Sequence, residues 1–177
     1  MTAGAGPWTL RNGTPVAIRP IRPDDEPAMV AFHRRLSDRS VYYRYFNLAR
    51  LDQRIRHERL SRICTIDPAR EMALVAERPA EGDAPAMIVG VGRLTRTDRP
   101  GGAEVALLVE DACQGQGLGT ELMRRLIAVA REQGLTRLDG DIIAENEGMV
   151  AVARRTGFTV SAAPDDPQVI RAVLALE

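Results

Sequence analysis

A chain of 177 residues can bury one full core. Its 45% hydrophobic and 27% charged residues are those of an ordinary globular domain. A formal net charge of zero excludes a global attraction to nucleic acid or to an anionic membrane. All 24 basic residues are arginine, a pattern of codon bias that also leaves the protein no lysine side chain of its own. Cys64 and Cys113 have neither metal-ligand spacing nor the look of a disulfide framework, so no metal is expected and a reducing cytoplasm fits. The start, "MTAGAGPWTL", lacks the basic region and apolar run of a signal peptide. No apolar run approaches the roughly 20 residues of a membrane span. The expectation is a cytoplasmic protein with no nucleic-acid or membrane partner, a frayed tail over residues 1–14, and one domain over 15–177.

"VAIRPIR" (16–22) alternates apolar and polar residues and predicts a strand. "PDDEPAMVAFHRRLS" predicts a helix, with acids early, arginines late, and Met29, Val30, Phe32 and Leu36 able to share a face. "SVYYRYFNL" (40–48) holds all three tyrosines, one of which suits a substrate groove and one the core. "LDQRIRHERLSRI" (51–63) sets Leu51, Ile55, Leu60 and Ile63 at helical spacing, with Arg54, Arg56, Arg59 and Arg62 expected on a solvated face or docking an acidic surface. His33 and His57 are expected at the surface. Strands over 71–77, 84–96 and 103–110, parted by turn-rich segments, predict an antiparallel meander. A helix follows with Leu118, Leu122, Leu126 and Val129 on one stripe and Gly134 as its stop. "TRLDGDIIA" predicts a strand, and "NEGMVAVARRT" a helix capped by Asn146 and closed by Gly157. "FTVSAA" and "QVIRAVLAL" predict a hairpin, although the second could be helical. Together these elements make one mixed α/β domain.

The junction "VEDACQGQGLGT" (109–120) carries the chemistry. Gly115, Gly117 and Gly119 remove Cβ atoms where a strand turns into a helix, and the free N–H groups of a helix start attract an anion. A nucleotide-triphosphate loop needs Gly-Lys-Ser/Thr, and there is no lysine. A dinucleotide fingerprint needs Gly-x-Gly-x-x-Gly in the first crossover of a parallel sheet, whereas this Gly-x-Gly-x-Gly follows a meander. A purely structural tight turn remains the alternative.

"QGQGLG" is similar to the acetyl-CoA pyrophosphate loop of the GCN5-related N-acetyltransferases (the GNAT superfamily), with Gln114, Gly117 and Gly119 on the motif positions. "AENEGMVAVARRTGF" resembles that family's later helix ending in Gly-Phe, and the strand order agrees from Val16 onward. The resemblance implies a mostly antiparallel sheet whose central strands splay apart, flanked by helices. It implies acetyl-CoA as cosubstrate, held by Leu108, Val109, Gln114, Gly115, Gln116, Gly117, Leu118, Gly119, Thr120 and Asn146, the last also a plain N-cap.

"AEVALLV" is apolar on both faces apart from Glu104, as in a central strand. A carboxylate buried there would have a raised pKa and could act as general base for an attacking amine; the alternative is a structural ion pair with an arginine such as Arg93. "AE", the glycine loop and "VYYRYF", with the N-terminal segment, resemble bacterial protein lysine acetyltransferases that act on acyl-CoA synthetases, in which the strand glutamate is the base. That likeness implies a protein lysine as acceptor. A small-molecule amine is the rival acceptor, and a non-catalytic acyl-CoA sensor the rival class. Two departures stand out. The 177 residues leave no room for the regulatory domains such proteins often carry, and Ala153 stands where many GNATs place a tyrosine general acid. Cys113, beside the loop, suits a buried small residue better than an acetyl carrier.

Overall fold

The computed structural model describes residues 4–177. One eight-stranded sheet runs through the molecule in the order β1-β2-β3-β4-β5-β6-β8-β7. The strands are β1 (Gly6–Thr9), β2 (Pro15–Pro20), β3 (Glu71–Arg78), β4 (Met87–Arg96), β5 (Gly102–Val109), β6 (Arg137–Ile143), β7 (Thr159–Ala163) and β8 (Asp166–Ala175). Every neighbouring pair is antiparallel except β5 with β6. The helices are α1 (Glu26–Arg35), α2 (Asp38–Tyr45), α3 (Leu51–Arg54), α4 (His57–Cys64), α5 (Leu118–Glu132) and α6 (Glu147–Arg155). The predicted meander is β3-β4-β5, and the final pair is a hairpin with no helix in it.

The sheet is covered on both faces, which is why β3 and β4 read as nearly continuous apolar runs. On one face α5 inserts Leu118, Leu122, Met123 and Leu126 against Leu74, Ala76 and Val89. On the other, α1, α2 and α4 bury Phe32, Val41 and Leu60 against Ala73, Val75 and Ile88. Phe32 is fully buried. Phe32→Ala is expected to lower the unfolding free energy by about 3–5 kcal/mol, measured by urea denaturation.

The N-terminal segment corrects one expectation. Gly6–Thr9 pairs with β2, so residues 6–14 are the first strand and turn of a hairpin and not a tail; the part of that expectation falling on residues 1–3 lies outside the described residues. The turn is built by Asn12 and Gly13: Gly13 has φ +88°, and Asn12 Oδ1 accepts from the Thr14 N–H. A second correction concerns residues 51–63, which fold as two helices. Their apolar spacing contains one five-residue step, Ile55 to Leu60, and the chain breaks between α3 and α4 there. The tyrosine-rich segment is helix α2, capped by Ser37, whose hydroxyl accepts from the Ser40 N–H.

His33 and Arg54, expected in solvent, are 1% and 5% exposed. His33 lies one helical turn after Met29 on the buried stripe of α1. Arg54 donates to the carbonyls of Ala49 and His33 and lies 3.4 Å from His33 Nδ1. Burial, with the nearby Arg59, Arg54 and Arg44, pushes the His33 pKa down to about 3. The unfolded chain therefore binds a proton that the folded one refuses. This contribution is complete above about pH 6.5 and is lost as pH falls toward 3. Unfolding free energy is expected to drop by roughly 1.5–2 kcal/mol between pH 6.5 and 5. His33→Phe should remove that slope in paired urea titrations, a comparison that cancels the opposite effect of His57, whose pKa is raised by Glu26.

Candidate active site

β5 and β6 pair only at Gly102–Arg137, Ala103–Leu138 and Glu104–Asp139. Beyond Glu104 the strands part, and β6 continues with β8 alone. The Glu110 N–H donates to Val89 O at 2.9 Å. By the alternation of an antiparallel ladder, the Leu108 backbone also faces β4, while the N–H groups of Leu107 and Val109 face the open gap. Leu108 thus offers the gap a side-chain wall and Val109 its backbone.

The gap continues into a cleft of about 610 Å³ whose lining includes Glu104, Leu108, Val109, Gln114, Gly115, Gly117, Gly119, Thr120 and Asn146. Gln116 and Leu118 do not line it. Leu118 is buried under α5, and the Gln116 carbonyl accepts from the Arg11 N–H at 3.1 Å. Gly115 and Gly117 adopt φ +71° and +89°, a left-handed path that sends the chain into α5. Glu121 donates to Gly117 O, so the N–H groups of Leu118, Gly119 and Thr120, in the first turn, have no intrahelical partner. Free main-chain N–H groups at a helix start are a feature that favours an anion. Gln114 turns its amide back, donating to Val109 O (3.0 Å) and Ser40 Oγ (2.9 Å). Asn146 caps α6 through its Oδ1 to the Met149 N–H and lines the cleft as well.

Glu104 departs from expectation in one respect. Its side chain is exposed, on the cleft wall, and the burial argument for it fails. Arg93, the alternative partner, is taken by Glu71. The carboxylate stands at the last paired residue before the strands separate. Cys113 is half-buried at the cleft, where burial and Glu110 push its thiol pKa up, away from the thiolate a carrier would need.

Several contributors escape local pattern reading. Arg11, just after β1, lines the cleft, and its Nη1 lies 3.4 Å from Gly115 O. Trp8 backs the loop: a Cβ on Gly117 would lie 3.1 Å from its ring. Asp111 accepts from the Ser37 N–H, the Ser37 hydroxyl and the Ser40 hydroxyl, tying the start of α2 to the end of β5. Burial works to raise the Asp111 pKa, but those three donors hold it below the ordinary range. Docked in this way, α2 presents Tyr43, Arg44 and Tyr45 to the cleft. Among the described residues no group of three or more metal-ligating side chains comes together, and no helix is long and apolar enough to cross a membrane.

A splayed parallel pair in an otherwise antiparallel sheet, with a glycine loop at the following helix, defines a GNAT acetyltransferase. The family described as "Acetyltransferase (GNAT) domain" matches residues 16–159, and the chain belongs to it. The chain is 32% identical over 174 residues to Acetyltransferase PA5475 of Pseudomonas aeruginosa, covering 95% of this chain and 88% of that one. Among solved structures it is similar to the GNAT domain of PAT from S. lividans, with 28% identity, 99% of each chain covered and a TM-score of 0.84. The fold is also that of RimJ from Mycobacterium smegmatis in complex with CoA-disulfide, at 21% identity, a TM-score of 0.69 and coverage of 97% and 86%. The protein is an acyltransferase enzyme.

Proposed function

We propose that the enzyme transfers acetyl from acetyl-CoA directly to the ε-amine of a lysine on another protein, such as an acyl-CoA synthetase. The free N–H groups of Leu118, Gly119 and Thr120 and the Arg11 guanidinium hold the pyrophosphate. The pantetheine arm lies in the β5–β6 gap, where the Val109 N–H polarises the thioester carbonyl. Glu104 takes the proton from the acceptor ammonium, and the free amine attacks the carbonyl carbon. The C–S bond breaks and CoA leaves as thiolate, whose parent thiol pKa of about 8.5 makes an enzyme acid dispensable; the second proton of the attacking nitrogen passes to that thiolate, leaving the neutral amide and the CoA thiol.

The observation that carries this reading is the position of Glu104, exposed at the point where β5 and β6 separate. A carboxylate open to solvent at the end of the gap is within reach of a long side chain presented by a protein surface. CoA release against a lysine-containing acyl-CoA synthetase and a panel of small amines is the test. Turnover of the synthetase supports the proposal. Turnover of a small amine alone moves the acceptor to that class, and acetyl-CoA binding without any thiol release supports a sensor. Arg11→Ala is expected to raise the KM for acetyl-CoA about 5- to 10-fold, with the deficit shrinking in high salt. A KM unchanged at both ionic strengths would remove Arg11 from the phosphate site.

A further inference from the structure

A second cavity of about 430 Å³ adjoins the cleft and shares Arg44, Tyr45, Ala106 and Leu108 with it. Along β5, residues 104, 106 and 108 lie on one face, so the Glu104 side chain projects to the same side of the sheet as this cavity. Its charge is lopsided: Arg44, Arg59, Arg62 and Arg93 line it, against the single carboxylate of Glu71.

The chain satisfies only part of that positive charge. Arg93 is paired with Glu71 and donates to Ile63 O. Arg59 donates to Arg54 O and to the Tyr45 hydroxyl. Arg44 is in no ion pair among the described residues. It is half-buried, with its guanidinium carbon 5.0 Å from the centre of the Tyr45 ring. Burial disfavours its charge, Tyr45 and Glu104 support it, and Arg93 and Arg59 oppose it. His33 lines the same cavity and is neutral at physiological pH. Arginine can only donate, so the contact from Arg54 to His33 Nδ1 leaves the proton on Nε2, a buried donor with no acceptor. The wall therefore carries positive charge beyond what the chain itself pairs, and an external carboxylate is the group that could complete an unpaired guanidinium there.

We propose that the acceptor carries a carboxylate close to its reacting amine, and that Arg44 binds this carboxylate while Glu104 faces the amine. The second cavity is then an acidic-acceptor subsite, with the exposed Arg62 at its edge. The inference rests on the acetyl-transfer reading of the cleft. It does not depend on whether the amine belongs to a protein or to a small molecule.

The test uses matched acceptor pairs: a lysine peptide flanked by Glu or by Gln, and an amino acid or its carboxamide. Because the chain has no lysine, acetyl-lysine formed in the peptide reactions comes from the peptide alone. In at least one pair the acidic form should show a KM about 10-fold lower with wild type, and Arg44→Gln should reduce that preference to within about twofold. Taking the ratio within each variant cancels any general loss of activity. The pair that shows the preference identifies a protein or a small-molecule source. Equal KM values in both pairs, or a preference that survives Arg44→Gln, overturn the proposal. If neither amine is acetylated, the acceptor reading has failed separately, and succinate probes the subsite directly. A melting-temperature increase with succinate in wild type that is absent in Arg44→Gln supports the carboxylate site, and the same response in both proteins overturns it.

Discussion

Glu104→Gln is expected to lower kcat/KM about 100- to 10,000-fold near pH 7 with acetyl-CoA affinity retained. The substitution keeps the size of the side chain and removes its ability to accept a proton. Glu104 is exposed and in no ion pair among the described residues, so the fold should tolerate the change. The pH profile makes the expectation specific. A free lysine amine has a pKa of about 10.4, so at neutral pH nearly all of it needs a base. As pH rises toward that value the variant meets more free amine, and its deficit should narrow. Steady-state CoA release across the pH range, with binding of acetyl-CoA measured by calorimetry, checks both parts. A constant deficit at all pH values would point to acceptor positioning, and unchanged turnover would remove Glu104 from the chemistry.

Gly117→Val is expected to weaken acetyl-CoA binding by about 100-fold or more. Gly117 is the N-cap of α5 at φ +89°, a conformation that is strained for a β-branched residue by roughly 1–3 kcal/mol. The new Cβ also meets the Trp8 ring at 3.1 Å. Relief of either strain turns the first N–H groups of α5 away from a shared focus, and each charge-assisted hydrogen bond lost is worth about 1.5–3 kcal/mol. Gly115 is the internal comparison. It is also left-handed, at φ +71°, but a Cβ there meets nothing within 4 Å. Gly115→Asn, which tolerates that region, should lose only a few-fold. Calorimetric titration with acetyl-CoA separates the two, and equal affinity of Gly117→Val and wild type would mean that the loop is not the phosphate site.

These two residues also show what a sequence can carry. The glycine loop is legible because it needs a particular backbone, and the α5 stripe because periodicity encodes a face. The N-terminal hairpin was legible too: Asn12–Gly13 between apolar runs is a hairpin-turn signal, here within a longer connection from Leu10 to Thr14, and reading residues 1–14 as a tail passes over it. Glu104 marks a limit, because alternation tells which face a side chain takes and not what covers that face. The burial of His33 and Arg54 depends on carbonyls that only the tertiary fold brings near. Asp111 reaches Ser37 and Ser40 across more than 70 residues of chain, and Arg44 gains meaning only from the two cavities it separates. No local pattern carries that information.

The proposed chemistry is direct acetyl transfer from a thioester in the β5–β6 gap to an external amine. Intact-mass spectrometry of enzyme and acceptor after reaction with stoichiometric acetyl-CoA tests it most directly. Direct transfer predicts one acetyl group on the acceptor for each CoA released, with the enzyme unmodified at every time point. An acetyl group on Cys113 that appears before the acetylated acceptor, or CoA release that leaves the acceptor unmodified, would contradict it.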